Sequence, residues 1–190
     1  MKILPAVVAA CCIAASFLPQ VAVAQVAQQA LPKERIAFDG TTLVLASQEK
    51  NAEESIKEYI PEGQTLEAWS HLASVRTYAN HQDPKMLAGA LVKQVKANYP
   101  QSPCSLRENT TTGESMVDFV VWPADKSFVE FNVFKYGKGE NGGVVAQQYA
   151  IRDYKDPNGF LESLRPVRER VLAEMTRGLQ AAPANGAPAP

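Results

Sequence analysis

CSLRENTTTGESMVDFVVWPADKSFVEFNVFKYGKGENGGVVAQQYAIR, residues 104–152, decides the fold. It falls into four apolar or alternating segments, 104–109, 115–122, 128–136 and 144–152. Thr112-Gly113, Pro123-Ala124-Asp125-Lys126 and the run Gly137 to Gly143 separate them. Glycine supplies backbone conformations with positive φ and proline presets a corner, so these stretches turn the chain. Short turns join antiparallel neighbours, and the region reads as a four-strand meander. Strand side chains alternate between faces. In the third segment Val129, Phe131 and Val133 therefore share one face, and Phe128, Glu130, Asn132, Phe134 and Tyr136 share the other. A face mixing aromatics with Glu130 and Asn132 is either a wet sheet surface or the wall of a cleft.

Upstream, residues 41–46 read as a strand after the turn signal Asp39-Gly40. Residues 49–54 are charged and loop-like, 55–60 alternate as a half-buried strand, and 71–78 form a third strand. Pro61 to Gln64 turns the chain, and Thr65 is expected to cap a short helical turn reaching Trp69. Asp83 suits an N-cap and Pro84 a first helical position. Leu87, Leu91 and Val95 recur every four residues, which gives a helix to about Tyr99, stopped by Pro100. Downstream, Asn158 is the expected N-cap of a second helix whose apolar side carries Phe160, Leu164, Val167, Val171 and Met175. Pro166 lacks an N–H and crowds the preceding turn, so it should kink or divide that helix. Gly178 closes it. The expected class is α+β: one mainly antiparallel sheet of about six or seven strands, with two main helices packed on it.

The ends read differently. Lys2 is followed by an apolar run from Ile3 to Leu18, and Ala22-Val23-Ala24 precedes Gln25. Small residues three and one positions before the cut suit signal peptidase, so 1–24 is expected to be a signal peptide cleaved after Ala24. The apolar run is short for a span of ~20 residues, and Pro5 and Pro19 interrupt it. An alternative is lipidation at Cys11, because Val8-Ala9-Ala10-Cys11 is similar to a lipobox, although the residues after it remain apolar. Residues 25–35 read as a loose leader, 36–179 as a single domain, and 180–190, QAAPANGAPAP, as a disordered Ala/Pro tail unable to offset its ordering entropy. No transmembrane span is expected once the signal is removed.

The whole chain carries 19 basic and 20 acidic residues, a net charge of −1. Without Lys2 the mature chain would hold 18 and 20, a net −2. Its basic residues are scattered, which gives no nucleic-acid footprint. Cys11 and Cys12 fall in the signal, so Cys104 alone remains and no intramolecular disulfide is expected. It reads as a small buried apolar residue, with a reactive thiol as the alternative.

Familiar catalytic patterns do not assemble. His71 and His81 are ten residues apart and have neither metalloprotease spacing nor a third ligand. Gly113-Glu114-Ser115 enters a strand and lacks the second glycine of a nucleophile elbow. The glycine-rich run 137–143 joins two strands, so no helix N-terminus faces a phosphate. Glu58, Glu62, Glu67, Asp118 and Glu130 are acidic candidates by type, with nothing to fix which of them meet. No catalytic residues, no metal site and no cofactor are expected.

One constellation suits binding. Trp69, Arg76, Glu130, Asn132, Tyr136, Gln147, Tyr149 and Arg152, with Tyr59 beside them, lie on or next to strands and are expected to line a sheet-face groove. Aromatic and arginine side chains anchor interfaces. The competing reading packs these aromatics under the helices and turns the polar residues to water.

The segments Tyr59-Ile60-Pro61-Glu62-Gly63-Gln64-Thr65-Leu66-Glu67-Ala68-Trp69 and Phe131-Asn132-Val133-Phe134-Lys135-Tyr136, with Gln147-Gln148-Tyr149-Ala150, resemble a family of uncharacterised exported proteins of Gram-negative bacteria. The resemblance covers about 55–175 and implies an envelope location without known catalytic residues. The element order is also similar to the PsbP/Mog1-like α/β sandwich, a mostly non-enzymatic group, and this is an analogy of topology. The expected function is a non-enzymatic periplasmic or secreted accessory protein that binds an envelope protein partner. The alternatives are a small-molecule or lipid carrier with a pocket between sheet and helices, and an enzyme of unrecognised type.

Overall fold

A computed structural model describes residues 34–182. The expected signal peptide, residues 25–33 of the expected leader and residues 183–190 lie outside that range. The elements are β1 (Arg35–Phe38), β2 (Thr41–Lys50), β3 (Glu54–Pro61), β4 (His71–Tyr78), α1 (Pro84–Asn98), β5 (Cys104–Asn109), β6 (Glu114–Val121), β7 (Val129–Lys138), β8 (Val144–Asp153), α2 (Pro157–Met175) and β9 (Gln180–Ala181). The strands form one antiparallel sheet in the order β5-β6-β7-β8-β4-β3-β2-β1-β9. The α+β antiparallel class is as expected, and the sheet is larger, with nine strands. β1 went unrecognised because a four-residue strand shows too little alternation. It pairs with β2 through a two-residue turn at Asp39 and Gly40, both at positive φ (49° and 69°), which fits the right-handed twist of a hairpin.

Further differences have local causes. β2 continues through the charged residues to Lys50, because β3 supplies its backbone partners as far as Ser55. Thr65 to Trp69 is a turn closed by a Thr65–Ala68 bridge rather than a helical turn. Asp156, not Asn158, caps α2: its Oδ1 accepts the Gly159 N–H at 2.9 Å. Pro166 lies within one continuous α2, on the exposed side, and does not divide it. Gln180 and Ala181, at the start of the expected tail, add β9 to the edge of β1.

The sheet is a half-barrel. Three strands separate β1 from β8, so a flat sheet would hold them ~19 Å apart at ~4.8 Å per step. Yet the rings of Phe38 on β1 and Tyr149 on β8 have centroids 4.5 Å apart. The sheet must curl toward the face carrying these residues. Ala46 is an unpaired extra residue between Leu45 and Ser47, and such a bulge strengthens local bending. α2 fills the concave side. Val171 and Met175 are fully buried there against Ile36, Leu43, Tyr59, Phe131 and Val133. Charged contacts fasten the helix: Arg168 Nε donates to Asp118 at 2.7 Å, and Arg170 Nε to Asp39 at 2.5 Å.

α1 lies on the opposite, convex face. Its Ala88, Leu91 and Val95 pack on Val117, Phe119 and Tyr136. Asp83 caps it as expected, its Oδ1 accepting the Lys85 N–H at 2.9 Å. A smaller apolar cluster on this face joins Ile60, Trp69, Leu72 and Ala150, with the 61–70 turn folded over it. Between these two clusters runs a strip of polar side chains.

Candidate functional site

Register places the polar strip. Glu130 stands opposite Arg152, Phe134 opposite Gln148, and Ser74 opposite Gln148 on the other side. Glu130, Asn132, Gln148, Ser74 and Arg152 thus project from the convex face of three adjacent strands, β7, β8 and β4. They form one directed chain. Ser74 Oγ donates to Gln148 Oε1 at 3.1 Å, Gln148 Nε2 to Asn132 Oδ1 at 2.9 Å, and Asn132 Nδ2 to Glu130 Oε1 at 2.8 Å. Arg152 closes the far end, with Nε at 2.7 Å and Nη2 at 2.5 Å from Glu130 Oε2. Ser74 and Asn132 are buried, and a chain of aligned hydrogen bonds in a low-dielectric strip strengthens each of its members.

Aromatic rings hold the charged end. The Arg152 guanidinium lies 4.0 Å from the Trp69 ring centroid and 4.3 Å from that of Phe128. Arg152 Nη1 also donates to Tyr154 Oη at 3.2 Å, and that hydroxyl accepts the Trp69 N–H at 3.3 Å. A planar cation between aromatic faces keeps its charge while losing little freedom. Both Glu130 oxygens are occupied, so the carboxylate fixes the geometry of its neighbours. Tyr154, 44% exposed, carries this cluster to the surface.

At the open end of the chain stand Glu58 and Arg76. Glu58 faces Ser74 across β3 and β4, and Arg76 faces Ile56 and Ala146. Burial pushes the Glu58 carboxyl above its usual range, while the nearby Arg76 pulls it back down. Ser74 uses its proton on Gln148, which leaves its oxygen lone pairs as acceptors. The strip thus presents amide, hydroxyl, carboxylate and guanidinium groups between two apolar walls.

The eight expected groove residues divide between faces. Trp69, Glu130, Asn132 and Arg152 come together, and Arg76 lies further along the same face. Tyr136 shares that face but is buried under α1, where burial drives its hydroxyl pKa far up. Gln147 and Tyr149 project from the concave face. Gln147 Oε1 accepts the Leu179 N–H at 3.2 Å, tying down the chain after α2. Tyr149 is fully buried beside Phe38, and its hydroxyl makes no hydrogen bond of good geometry, with Thr41 the polar side chain beside it. Tyr59 is buried on the concave side too, donating to Glu34 at 2.7 Å. Sequence reasoning missed Gln148 and Ser74, and placed Phe128 on the Glu130 face without counting it in the groove. Parity within one strand was the available signal: Arg152 shares a face with Gln148, never with Gln147.

Other chemistry-bearing residues stand apart. His71 lies on the concave face, its ring centroid 6.1 Å from that of Tyr149, and burial lowers its pKa. His81 packs edge-on against Tyr78. Cys104 is half-buried, and burial raises its thiol pKa. Among the described residues no group of three His, Cys, Asp or Glu side chains converges as metal ligands. The glycine-rich hairpin tip borders a cavity of ≈ 410 Å³ whose floor includes Thr77, Glu114, Lys135 and Gln147. Lys135 is already engaged there, with Nζ 2.9 Å from Glu114 Oε1 and 2.8 Å from the Thr176 carbonyl at the end of α2. No helix among the described residues is long and apolar enough to cross a membrane.

No curated protein matches the chain. The sequence model of one protein family spans residues 30–178, nearly the whole of the sheet with both helices, and the chain belongs to that uncharacterised family.

Proposed function

We propose that this protein is a non-enzymatic binding or accessory protein of the bacterial envelope, and that its convex polar strip is where an envelope protein docks. The observation that carries the reading is the closure of the Ser74–Gln148–Asn132–Glu130–Arg152 chain. Each member is held by the next, and Glu130 has both oxygens engaged. The hydrogen-bonded chain itself is largely buried and holds rigid the more exposed margin at Tyr154 and Arg76, so little freedom is lost when a partner binds there. The N-terminal sequence, with its charged start, apolar run and Ala22-Val23-Ala24, supports export to the periplasm or beyond. The resemblance to exported Gram-negative proteins supports the same location, and the likeness of element order to the PsbP/Mog1 sandwich adds a non-enzymatic precedent by analogy.

The carrier reading has less behind it. The space between the sheet and α2 is occupied by Val171, Met175, Tyr149 and Phe38, all buried. A ligand pocket of several hundred Å³ there would require these residues to part.

In-cell photo-crosslinking tests the proposal. A photoreactive residue at Tyr154 or Arg76, both on the convex face, should capture the same envelope protein. The same group at Lys155, outside the strip, should not. Equal capture at all three positions, or none at Tyr154 and Arg76, would sink the docking assignment.

A further inference from the structure

We propose that the free edge of β5 pairs with the same edge of a second copy of this chain, joining two half-barrels into one continuous sheet. β5 is the last strand at its end of the sheet, and only β6 pairs with it among the described residues. An unpaired edge is a template for another strand.

The direction of its free backbone groups follows from one hydrogen bond. Cys104 stands opposite Phe119, so Pro103 stands opposite Val120. The Val120 N–H donates to the Pro103 carbonyl at 3.2 Å, which makes that a hydrogen-bonded pair. Such pairs alternate along an antiparallel ladder. Residues 105, 107 and 109 therefore turn their backbone groups toward β6, and residues 104, 106 and 108 turn theirs outward.

Two-fold symmetry then fixes the register. In an isologous antiparallel pairing only the residue on the axis meets its own counterpart, residues equally far on either side of it meet each other, and opposed side chains share a face. Only outward-facing 104, 106 and 108 exchange hydrogen bonds, and the register with greatest overlap sets Leu106 opposite Leu106 of the second copy. Cys104 then lies opposite Glu108, twice over, and six backbone hydrogen bonds form.

The side chains suit a second copy. Leu106, at the axis, is an apolar side chain 40% exposed in the single chain. The charge of Lys96 acts on the Cys104 thiol, lowering its pKa against the effect of burial. In the paired register Glu108 is opposite Cys104, so its carboxylate enters the same positive field on the second copy. Glu108 already binds Lys85 of its own chain at 2.8 Å, so no bare carboxylate opposes the pairing. Arg107 does not oppose this arrangement, because it points to the other face, where Asp118 accepts its Nη1 at 3.0 Å.

Sedimentation velocity of the full chain across a concentration series tests the inference against the variant Leu106→Pro. The Leu106 N–H points outward, so proline there removes edge donors without touching the β5–β6 ladder. The wild type should shift toward the dimer mass as concentration rises. The dissociation constant of L106P should rise about tenfold or more, with an unchanged far-ultraviolet spectrum. A wild type that stays monomeric throughout would overturn the proposal, as would undiminished dimerisation of L106P. Should L106P fold poorly, C104S/L106C decides. Opposed Cα atoms of a hydrogen-bonded pair stand ~5.5 Å apart, within disulfide reach. Oxidation should give a dimer of C104S/L106C linked through residue 106, as peptide mapping distinguishes from links through Cys11 or Cys12, and failure to form that link while the residue 106 thiol reacts freely with a maleimide would overturn it.

Discussion

Two N–H groups of Arg152 converge on a single oxygen of Glu130, and the two residues stand directly opposite each other on β8 and β7. Their side chains are 13% and 12% exposed, so neither charge is well hydrated without the other. Removing one partner of a buried pair leaves the remaining charge uncompensated. Arg152→Ala and Glu130→Ala should each lower stability by about 3 kcal/mol in urea unfolding. The double variant should cost clearly less than the sum. Arg152→Lys should recover only part of the loss, because an ammonium does not spread between Trp69 and Phe128 as a planar guanidinium does.

Gly178 has φ +79°, and a Cβ there would meet Gln147 Oε1 at 2.5 Å. Gly63 has a similar φ of +83° with open space around it. Gly63→Ala should therefore cost about 1 kcal/mol from the left-handed backbone alone. Gly178→Ala should cost more, about 2–3 kcal/mol, because Gln147 must release the Leu179 N–H or crowd the new methyl. Equal losses for the two variants in thermal melts would contradict the role given to Gln147.

His71 is half-buried and its pKa is held below the ordinary 6.5, chiefly by burial and against the pull of Asp39. A base with a lowered folded-state pKa binds fewer protons folded than unfolded. The stability it contributes is present above about pH 6.5 and is lost as pH falls toward the folded value. Melting temperatures of the wild type should fall between neutral pH and pH 5, and His71→Gln should flatten that slope.

Glu58 is expected to behave in the opposite sense. Burial raises its carboxyl pKa above 4.5, so the folded chain binds the proton more tightly. Stability is lost as pH rises through the raised value. Glu58→Gln should stabilise the protein at neutral pH by about 0.5 kcal/mol, a small gain because water screens a partly exposed group. Below pH 4 the gain should vanish.

Much of the fold was legible in sequence because its periodic signals were strong. The meander from Cys104 to Arg152 and the stripe of Leu87, Leu91 and Val95 appear in the structure with boundaries shifted by a residue or two. β1 and β9 were not, since Arg35–Phe38 and Gln180–Ala181 are too short to show a period and exist only through pairing with each other and with β2. The curl of the sheet depends on contacts such as Phe38 with Tyr149, 111 positions apart along the chain. The candidate strip was half legible. Glu130 and Asn132 declared themselves as polar residues on an aromatic face, whereas Ser74 and Gln148 became neighbours only through the β4–β8 register. Tyr136 and Tyr149 misled, because a tyrosine reads equally well as anchor or core and burial alone decides between them.

The pairing of Ile36 with Ala181 and of Ala37 with Gln180 sets an order of events. A chain emerging N-terminus first exposes β1 early, but the strand that covers its outer edge emerges only after both helices and all other strands. Until then β1 has β2 on one side and nothing on the other, and Arg170 and Glu174 have not yet reached the Asp39 turn. Completion of the half-barrel is thus deferred to the final residues of the domain. A chain halted short of α2 would hold its sheet with the concave side bare, a form open to chaperones and proteases in a way the finished protein is not.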